Sequence, residues 1–196
     1  MGEIKEPLPV KLIVSAFAGG ETLLTEARTR LVAEFGPIDY ESALLTFGHT
    51  DYYTPEFGPG LVRRIWAFEE LIEQEKLAAI KRRTNDIEMG WAVEGRRRVN
   101  LDPGFVSYSK MVLATTKNHA HRIYIGDGIY AEVTLHFRDG TFRSWPWTYP
   151  DYASPTYLEI FNQIRALYTA QMKALRYSPI RHSPFATRPL RAPARR

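Results

Sequence analysis

Two histidines that stand one residue apart, His119 and His121, are the side chains of this sequence best suited to acid–base chemistry. Imidazole has an ordinary pKa close to neutral pH, so it can both accept and donate a proton there. In an extended segment, residues i and i+2 point to the same side, which would bring both rings together. The carboxylate of Asp102 could orient one of them. We therefore take His119, His121 and Asp102 as candidate catalytic residues, against the alternative that both histidines cap backbone groups in a loop.

The same histidines could hold a divalent metal together with Asp102, Asp127 or Glu132, because imidazole and carboxylate groups are common metal ligands. We weigh that role below catalysis or ligand contact. We therefore predict no set of metal ligands and leave the cofactor unassigned.

Basic residues on both sides of the histidines could form an anion site. Lys110, Lys117 and Arg122 are the candidates for contacts with a phosphate or carboxylate ligand. Asn100 and Asp127 are further candidate ligand-binding residues. The alternative is a solvated surface on which the stems of the basic side chains cover apolar atoms.

Several classes of protein are excluded by what the sequence lacks. It contains no cysteine, which excludes disulfide frameworks and zinc–thiolate sites and fits a cytoplasmic location. It contains no G-x-x-x-x-G-K-[ST] loop, so we reject a P-loop nucleotide enzyme. The longest apolar run, Leu12 to Ala18, is too short to span a bilayer, so we expect no membrane partner.

Charge divides the chain into two parts. The net charge is +4, yet five arginines and no acidic residue follow Tyr177, so the preceding residues carry a net charge near −1. We predict one domain over residues 1–176 and a Pro/Arg-rich tail over 177–196 that is disordered or extended. Nucleic acid is not expected to bind the domain, whereas the tail could contact nucleic acid or an acidic partner.

Hydrophobic spacing predicts the order strand, helix, strand, strand, helix, strand in the first half of the chain. Gly36-Pro37 should end the first helix, and Asp102-Pro103-Gly104 should form a turn that closes the last strand. The order matches the ferredoxin-like βαββαβ pattern. The predicted segments are Pro9–Ala18, a helix from Glu21, Asp39–Phe47, Leu61–Phe68, Glu75–Val93 and Arg97–Leu101.

The segment Ser107–Lys117 is ambiguous. Tyr108, Met111, Val112 and Thr115 recur at helical spacing, which favours a short helix with Ser107 as its N-cap, and a strand is the alternative. Further strands are predicted over His121–Ile125, Ile129–Phe137 and Thr141–Trp147, before a final helix from Ser154. In Ile129–Phe137 the apolar residues alternate with polar ones, which predicts one packed face and one polar face. The fold class is thus α+β, with a ferredoxin-like core, a C-terminal β-hairpin and a final helix.

Two further groups could wall a cavity. Asn85 and Glu88 share one face of the second helix, and Tyr149 to Tyr152 form an aromatic and acidic loop. Their alternative roles are a helix surface and the edge of a core.

A combination of short motifs resembles the bacterial domain-of-unknown-function 4416 family over about residues 8 to 176. These motifs are FGPID (35–39), TDYY (50–53), GPGL (58–61), NLDPG (100–104), LATTKNHAHRIY (113–124), GDGIYAE (126–132) and PWTYPDY (146–152). The resemblance implies one bacterial domain in which these motifs act together. It supplies no reaction and no catalytic residue.

Two functions remain open from the sequence. The first is a protein or enzyme that binds a small anionic or phosphorylated ligand in the region of residues 100–132. The alternative is a non-catalytic module that binds protein or RNA. The sequence assigns no oligomeric state.

Overall fold

A computed structural model describes residues 2–46, 54–57 and 60–177 of the 196-residue chain. One sheet lies between two helical layers. Helices α1 (Glu21–Phe35) and α3 (Leu77–Met89) cover one face, and helix α4 (Pro155–Tyr177) covers the other. This is an α+β architecture. The predicted tail lies almost wholly outside the described residues, as do Phe47, the whole TDYY motif and the first two residues of the GPGL motif.

The first half of the chain folds around strand β1 (Val10–Ala18), whose nine residues are all buried because helices cover both faces of the sheet. Helix α1 packs Leu24, Ala27 and Leu31 on β1. It ends where Gly36 adopts φ 90° and donates its N–H to the carbonyl oxygen of Val32. The elements are β1 (Val10–Ala18), α1 (Glu21–Phe35), β2 (Ile38–Glu41), β3 (Leu45–Thr46), α2 (Thr54–Phe57) and β4 (Val62–Ile72).

The second half adds a helix, five strands and a long final helix. A short 3-10 helix, Gln74–Lys76, leads into α3. The elements are α3 (Leu77–Met89), β5 (Val99–Val106), β6 (Lys110–Thr115), β7 (Ile123–Gly126), β8 (Ile129–Arg138), β9 (Thr141–Ser144) and α4 (Pro155–Tyr177). None of the helices in the described residues is long and apolar enough to cross a membrane.

The described strands form one antiparallel sheet of nine strands in the order β2-β4-β1-β5-β6-β8-β7. Strand β3 pairs with β4 beside β2, and β9 pairs with β8 beside β7. The first helix, the strand predicted at Leu61–Phe68 and the second helix are all present. The strand predicted at Asp39–Phe47 is instead two short strands, β2 and β3.

The predicted turn at Asp102-Pro103-Gly104 is wrong, because β5 runs straight through these residues. Pro103 pairs with Val14 of β1, and the ladder to β6 begins only at Gly104. A Cβ atom on Gly104 would overlap the carbonyl oxygen of Val112. The glycine therefore allows β5 and β6 to approach each other closely, and it does not supply a turn.

The helix favoured for Ser107–Lys117 is also wrong, since Lys110–Thr115 forms strand β6. Val112 and Ala114 pack in the cluster that includes α3, whereas Met111 packs in the cluster that includes α4. A strand covered on both faces is apolar at consecutive positions. In this segment, the apolar positions of a doubly covered strand also match the spacing of a helix.

The prediction of one packed and one polar face for β8 is wrong as well. Ile129 and Val133 pack on the α3 side of the sheet, but Leu135 packs on the α4 side. The register against β6 shows the cause: Met111 faces Leu135 and Val112 faces Val133, so Thr134 is an extra residue in a β-bulge. Glu132, on the face expected to be polar, is buried.

Candidate functional site

The sheet opens between β5 and β6, and a cleft of about 380 Å³ lies at the opening. The two strands pair only over Gly104–Val106 and Met111–Leu113. Residues 99–102 of β5 therefore have no strand beside them on the β6 side within the described residues. The cleft is lined by this free edge, by α3 and by the loop between β6 and β7.

Two side chains of α3 bond the free edge of β5 in place of a strand. Glu88 accepts the N–H of Leu101 at 2.6 Å, and Lys81 donates its Nζ to the carbonyl oxygen of Leu101 at 2.9 Å. Lys81 and Glu88 are two helical turns apart, so both lie on the same side of α3. Both are buried. The backbone groups of Leu101 are thus satisfied without closing the cleft.

A chain of polar contacts continues along the wall of the cleft. Lys81 Nζ lies 3.2 Å from Oδ1 of Asp102, and Asn100 Nδ2 donates to Oδ2 of Asp102 at 2.7 Å. Arg97 donates to Oδ1 of Asn100 at 3.0 Å, and its Nε and Nη2 bond both carboxylate oxygens of Glu56. Asp102 is therefore held at two oxygens while its side chain keeps 32% of its surface exposed.

The pKa values of two carboxyl groups in this chain of contacts, Glu88 and Glu56, are shifted in opposite directions. Burial raises the pKa of Glu88 above its usual value, although the charges of Lys81 and Arg97 oppose the shift. The hydrogen bonds from Arg97 lower the pKa of Glu56. Glu56 is therefore held as a carboxylate, whereas the ionised form of Glu88 is disfavoured.

The opposite wall is built around the buried carboxylate of Glu132. Its Oε2 accepts Nε of Arg122 at 2.9 Å and lies 3.0 Å from Nε2 of His121. Arg122 also donates Nη1 to the carbonyl oxygen of Lys117 at 3.0 Å. Glu132 thereby fixes the loop between β6 and β7, which brings Lys117 and Arg122 into the cleft.

A buried ion pair lies on the same face of the sheet as Asp102. Arg63 donates Nη1 to Oδ2 of Asp151, and both side chains are buried. The rings of Tyr152 and Tyr157 lie 5.4 and 5.8 Å from the guanidinium carbon of Arg63. Burial raises the pKa of Tyr152, so it stays a neutral phenol.

Five rings form a column on the surface next to the cleft. His121 stacks between His119, at 5.9 Å between ring centroids, and Trp147, at 5.6 Å. Trp145 stacks on Trp147 at 5.2 Å, and His136 lies 4.2 Å beyond it. The column meets the cleft through His121 and its contact with Glu132.

The structure brings together four of the predicted site residues. Asn100, Asp102, Lys117 and Arg122 line the cleft. His121 contacts the cleft wall only through Glu132.

The other three candidates lie elsewhere. His119 is exposed and stacks on His121. Lys110 is at the opposite end of β6, where it pairs with His136. Asp127 is in the β7–β8 turn with φ 54° and forms an ion pair with Arg82 of α3 at 3.7 Å.

The sequence did not single out two charged residues of the site, Lys81 and Arg97, whereas Glu88 was a candidate for a cavity wall and Glu132 only a possible metal ligand. Asn85 and Glu88, which share a helix face, do line the cleft, as does Tyr149. The signal for Lys81 was its spacing of seven residues from Glu88, which places both on one side of a helix. No sequence pattern indicated Arg97, because it lies in an irregular connection between α3 and β5.

A family model described as a domain of unknown function (DUF4416) matches residues 8–168. The chain belongs to the DUF4416 family. The match contains every cleft residue named above, together with the Arg63–Asp151 pair. No curated protein matches this DUF4416 chain, and no solved structure matches it. Within the described residues, no group of three or more His, Cys, Asp or Glu side chains is arranged to hold a metal ion.

Proposed function

We propose that this DUF4416 protein binds a small anionic ligand, such as a phosphate ester or a polycarboxylate, in the cleft between β5 and β6. One observation carries the proposal. Four basic side chains, from α3, from the α3–β5 connection and from the β6–β7 loop, converge on one cavity. They are Lys81, Arg97, Lys117 and Arg122. The volume of about 380 Å³ is in the range of small-molecule sites.

The four cations have different roles in this proposal. Lys81 and Arg97 are fixed by Leu101, Asp102 and Glu56, so they supply positive charge without moving. Arg122 bonds Glu132 and Lys117 through Nε and Nη1, and its Nη2 makes no hydrogen bond to another described residue. Lys117 and the Nη2 group of Arg122 hold the anion, by charge-assisted hydrogen bonds.

If the bound ligand reacts, Asp102 is the proton-transfer group of the proposal. It lines the cleft and is partly exposed, while Asn100 and Lys81 fix its two oxygens. A fixed carboxylate beside a bound ligand can act as a general base. His121 is a positioning residue here, because it reaches the cleft only through Glu132.

For the fold, we propose that β1, α1, β2, β4, α3 and β5 form a ferredoxin-like unit to which the remaining strands were added. The support is the order β2-β4-β1-β5 with antiparallel neighbours, and both helices on one face. The cleft then lies at the junction between this unit and the added strands.

The decisive experiment compares Lys117, which follows β6 and lines the cleft, with Lys110, which lies at the other end of β6. Inorganic phosphate, pyrophosphate and citrate are titrated by calorimetry and by thermal shift into the wild-type chain, Lys117→Gln and Lys110→Gln. We expect at least one anion to bind the wild-type chain. Loss of one charged hydrogen bond should weaken it about 10- to 100-fold in Lys117→Gln. Lys110→Gln should bind as the wild type does.

Two results would contradict the proposal. One is the absence of binding of all three anions to the wild-type chain at low ionic strength. The other is an equal loss of anion affinity in both variants. That result would mean that the anion binds outside the cleft, or that affinity depends only on the net charge of the protein.

A second candidate, a module that binds single-stranded RNA, is favoured by the aromatic column alone. Trp145 and Trp147 keep 36% and 39% of their surfaces exposed, and exposed rings can stack on unpaired bases. Titration of single-stranded RNA should quench tryptophan fluorescence in the wild-type chain and not in Trp147→Leu. Unchanged fluorescence in the wild-type chain at low salt would remove this candidate.

A further inference from the structure

A second cavity, of about 720 Å³, lies where the N-terminal segment, the end of β4 and the last turns of α4 meet. Much of its lining is apolar, and Leu175 of α4 keeps 56% of its surface exposed there. No described residue covers this side chain further. The apolar lining residues are Pro7, Pro9, Leu71, Ala174 and Leu175.

The rim of this groove is strongly acidic. Five glutamates line it against one lysine, Lys76, which pairs with Glu73 at 3.1 Å. Within the described part of the chain, no ion pair forms at the other four. These are Glu6, Glu69, Glu70 and Glu75. Carboxylates that line one groove repel each other unless cations lie among them, so the groove fits an occupant that is both apolar and positively charged.

The chain itself contains such a segment directly after the groove. Residues 178–196 include five arginines and no acidic residue, with Ile180, Phe185 and Leu190 between them. Helix α4 ends at Tyr177, two residues beyond Leu175. The segment therefore starts at the groove and needs no linker to reach it. Six extended residues already span about 20 Å.

We propose that the groove at the end of β4 and α4 binds residues 178–196 of the same chain. The arginines pair with the glutamates of the rim, and the apolar side chains cover Leu175 and the floor. Direct attachment to α4 keeps the local concentration of the segment on the order of millimolar, so contacts that are weak between separate molecules suffice. The four prolines of the segment restrict its backbone and reduce the entropy lost on binding.

The absence of cysteine allows a direct test in the full chain. A nitroxide label is attached to Ala192→Cys, and the intensities of backbone amide signals are compared before and after reduction of the label. We expect signal loss at residues 69–76 and 171–175. The loss should shrink as salt is raised, because exposed ion pairs are screened.

A matched pair of triple variants, each measured with the same label, assigns the interaction to the rim. Glu69→Gln/Glu70→Gln/Glu75→Gln should remove most of the signal loss. Glu3→Gln/Glu94→Gln/Glu159→Gln, which makes the same change in net charge at exposed positions outside the groove, should leave it intact.

Three outcomes would overturn the proposal. The first is an absence of signal loss in the groove at low salt, and the second is signal loss centred on another surface. The third is signal loss in an isotope-labelled chain without nitroxide when it is mixed with an unlabelled, nitroxide-bearing chain. That result would assign the groove to the segment of a second copy.

Discussion

Glu88 accepts the backbone N–H of Leu101 at 2.6 Å, across the gap between α3 and the free edge of β5. This bond replaces one that a neighbouring strand would provide. Together with Lys81 on the carbonyl oxygen of Leu101, it lets the sheet stay open where the cleft lies. An open edge inside a domain is stable only when its backbone groups are bonded in another way.

The first prediction concerns the amide of Leu101. In the wild-type chain it should exchange slowly with solvent although no strand pairs with it on the cleft side. In Glu88→Ala the amide loses its acceptor and faces the cleft, so its exchange should become much faster while that of Ser15 in β1 changes little. Hydrogen exchange measured by NMR checks this. Equal acceleration at Leu101 and Ser15 would indicate global destabilisation instead.

The second prediction concerns pH. Because burial raises the pKa of Glu88 in the folded protein, the folded state binds a proton there more tightly than the unfolded state does. The resulting stability is fully present below the unfolded pKa and is lost as pH rises through the folded value. Relative to the wild type, Glu88→Gln should therefore gain stability from pH 4.5 upward.

Urea denaturation at several pH values tests this difference. The exposed substitution Glu94→Gln, outside the groove, is the control for the loss of one carboxylate. A constant difference between Glu88→Gln and the wild type across this range would contradict the assignment to Glu88.

The third prediction concerns the contact between β5 and β6. Gly104→Ala places a methyl group against the carbonyl oxygen of Val112, so the strands must separate or β5 must bend. We expect a loss of stability on the order of 3 kcal/mol or more, at the upper end of overpacking effects. Gly19→Ala, where the nearest atom is 3.4 Å away, should cost less than about 1 kcal/mol by comparison. Thermal and urea unfolding measure both. Similar losses in the two variants would mean that the close approach is unimportant.

The fourth prediction concerns the buried pair Arg63–Asp151. Removal of one partner leaves the other charge buried, so Arg63→Met or Asp151→Leu alone should cost about 3–5 kcal/mol. The double variant should cost less than the sum of the two, because it leaves no uncompensated charge. A double-mutant cycle in urea gives the coupling energy. Additive losses would show that the two side chains act independently.

The sequence predicted the elements whose patterns are local. Strand β1 is a continuous apolar run, and α1 has regular spacing and a Gly-Pro stop, so both were found. Strand β4 was found as well, although it extends four residues beyond the predicted Phe68 to Ile72. The fold class followed from these elements, because their order restricts the ways in which one sheet can be covered.

The errors arose where contacts distant in sequence decide the structure. Asp102-Pro103-Gly104 has the composition of a turn, but β1 holds it extended and β6 requires a residue without Cβ at Gly104. The segment after Ser107 has helical spacing, but both of its faces are buried between helical layers. Local propensity cannot register either constraint.

The candidate site was predicted only in part, because contacts distant in sequence also decide which side chains meet in the cleft. Asn100 and Asp102 alternate with buried residues of β5, and Lys117 and Arg122 follow β6. These neighbouring elements place all four side chains in the cleft. Lys110 was separated from them because β6 is a strand, with its two ends far apart. Lys81 was overlooked because a lysine on a helix usually faces solvent.

The extra residue at Thr134 has a consequence for how the length of β8 can vary within the family. Deletion of Thr134 would join Val133 to Leu135 in regular alternation, which keeps each on the side of the sheet where it now packs. Deletion of Ala131 or Tyr130 would turn the residues before it to the opposite side. Family members with a β8 one residue shorter should therefore lack the residue at Thr134, whereas changes of length elsewhere should occur in the turn at Asp139-Gly140.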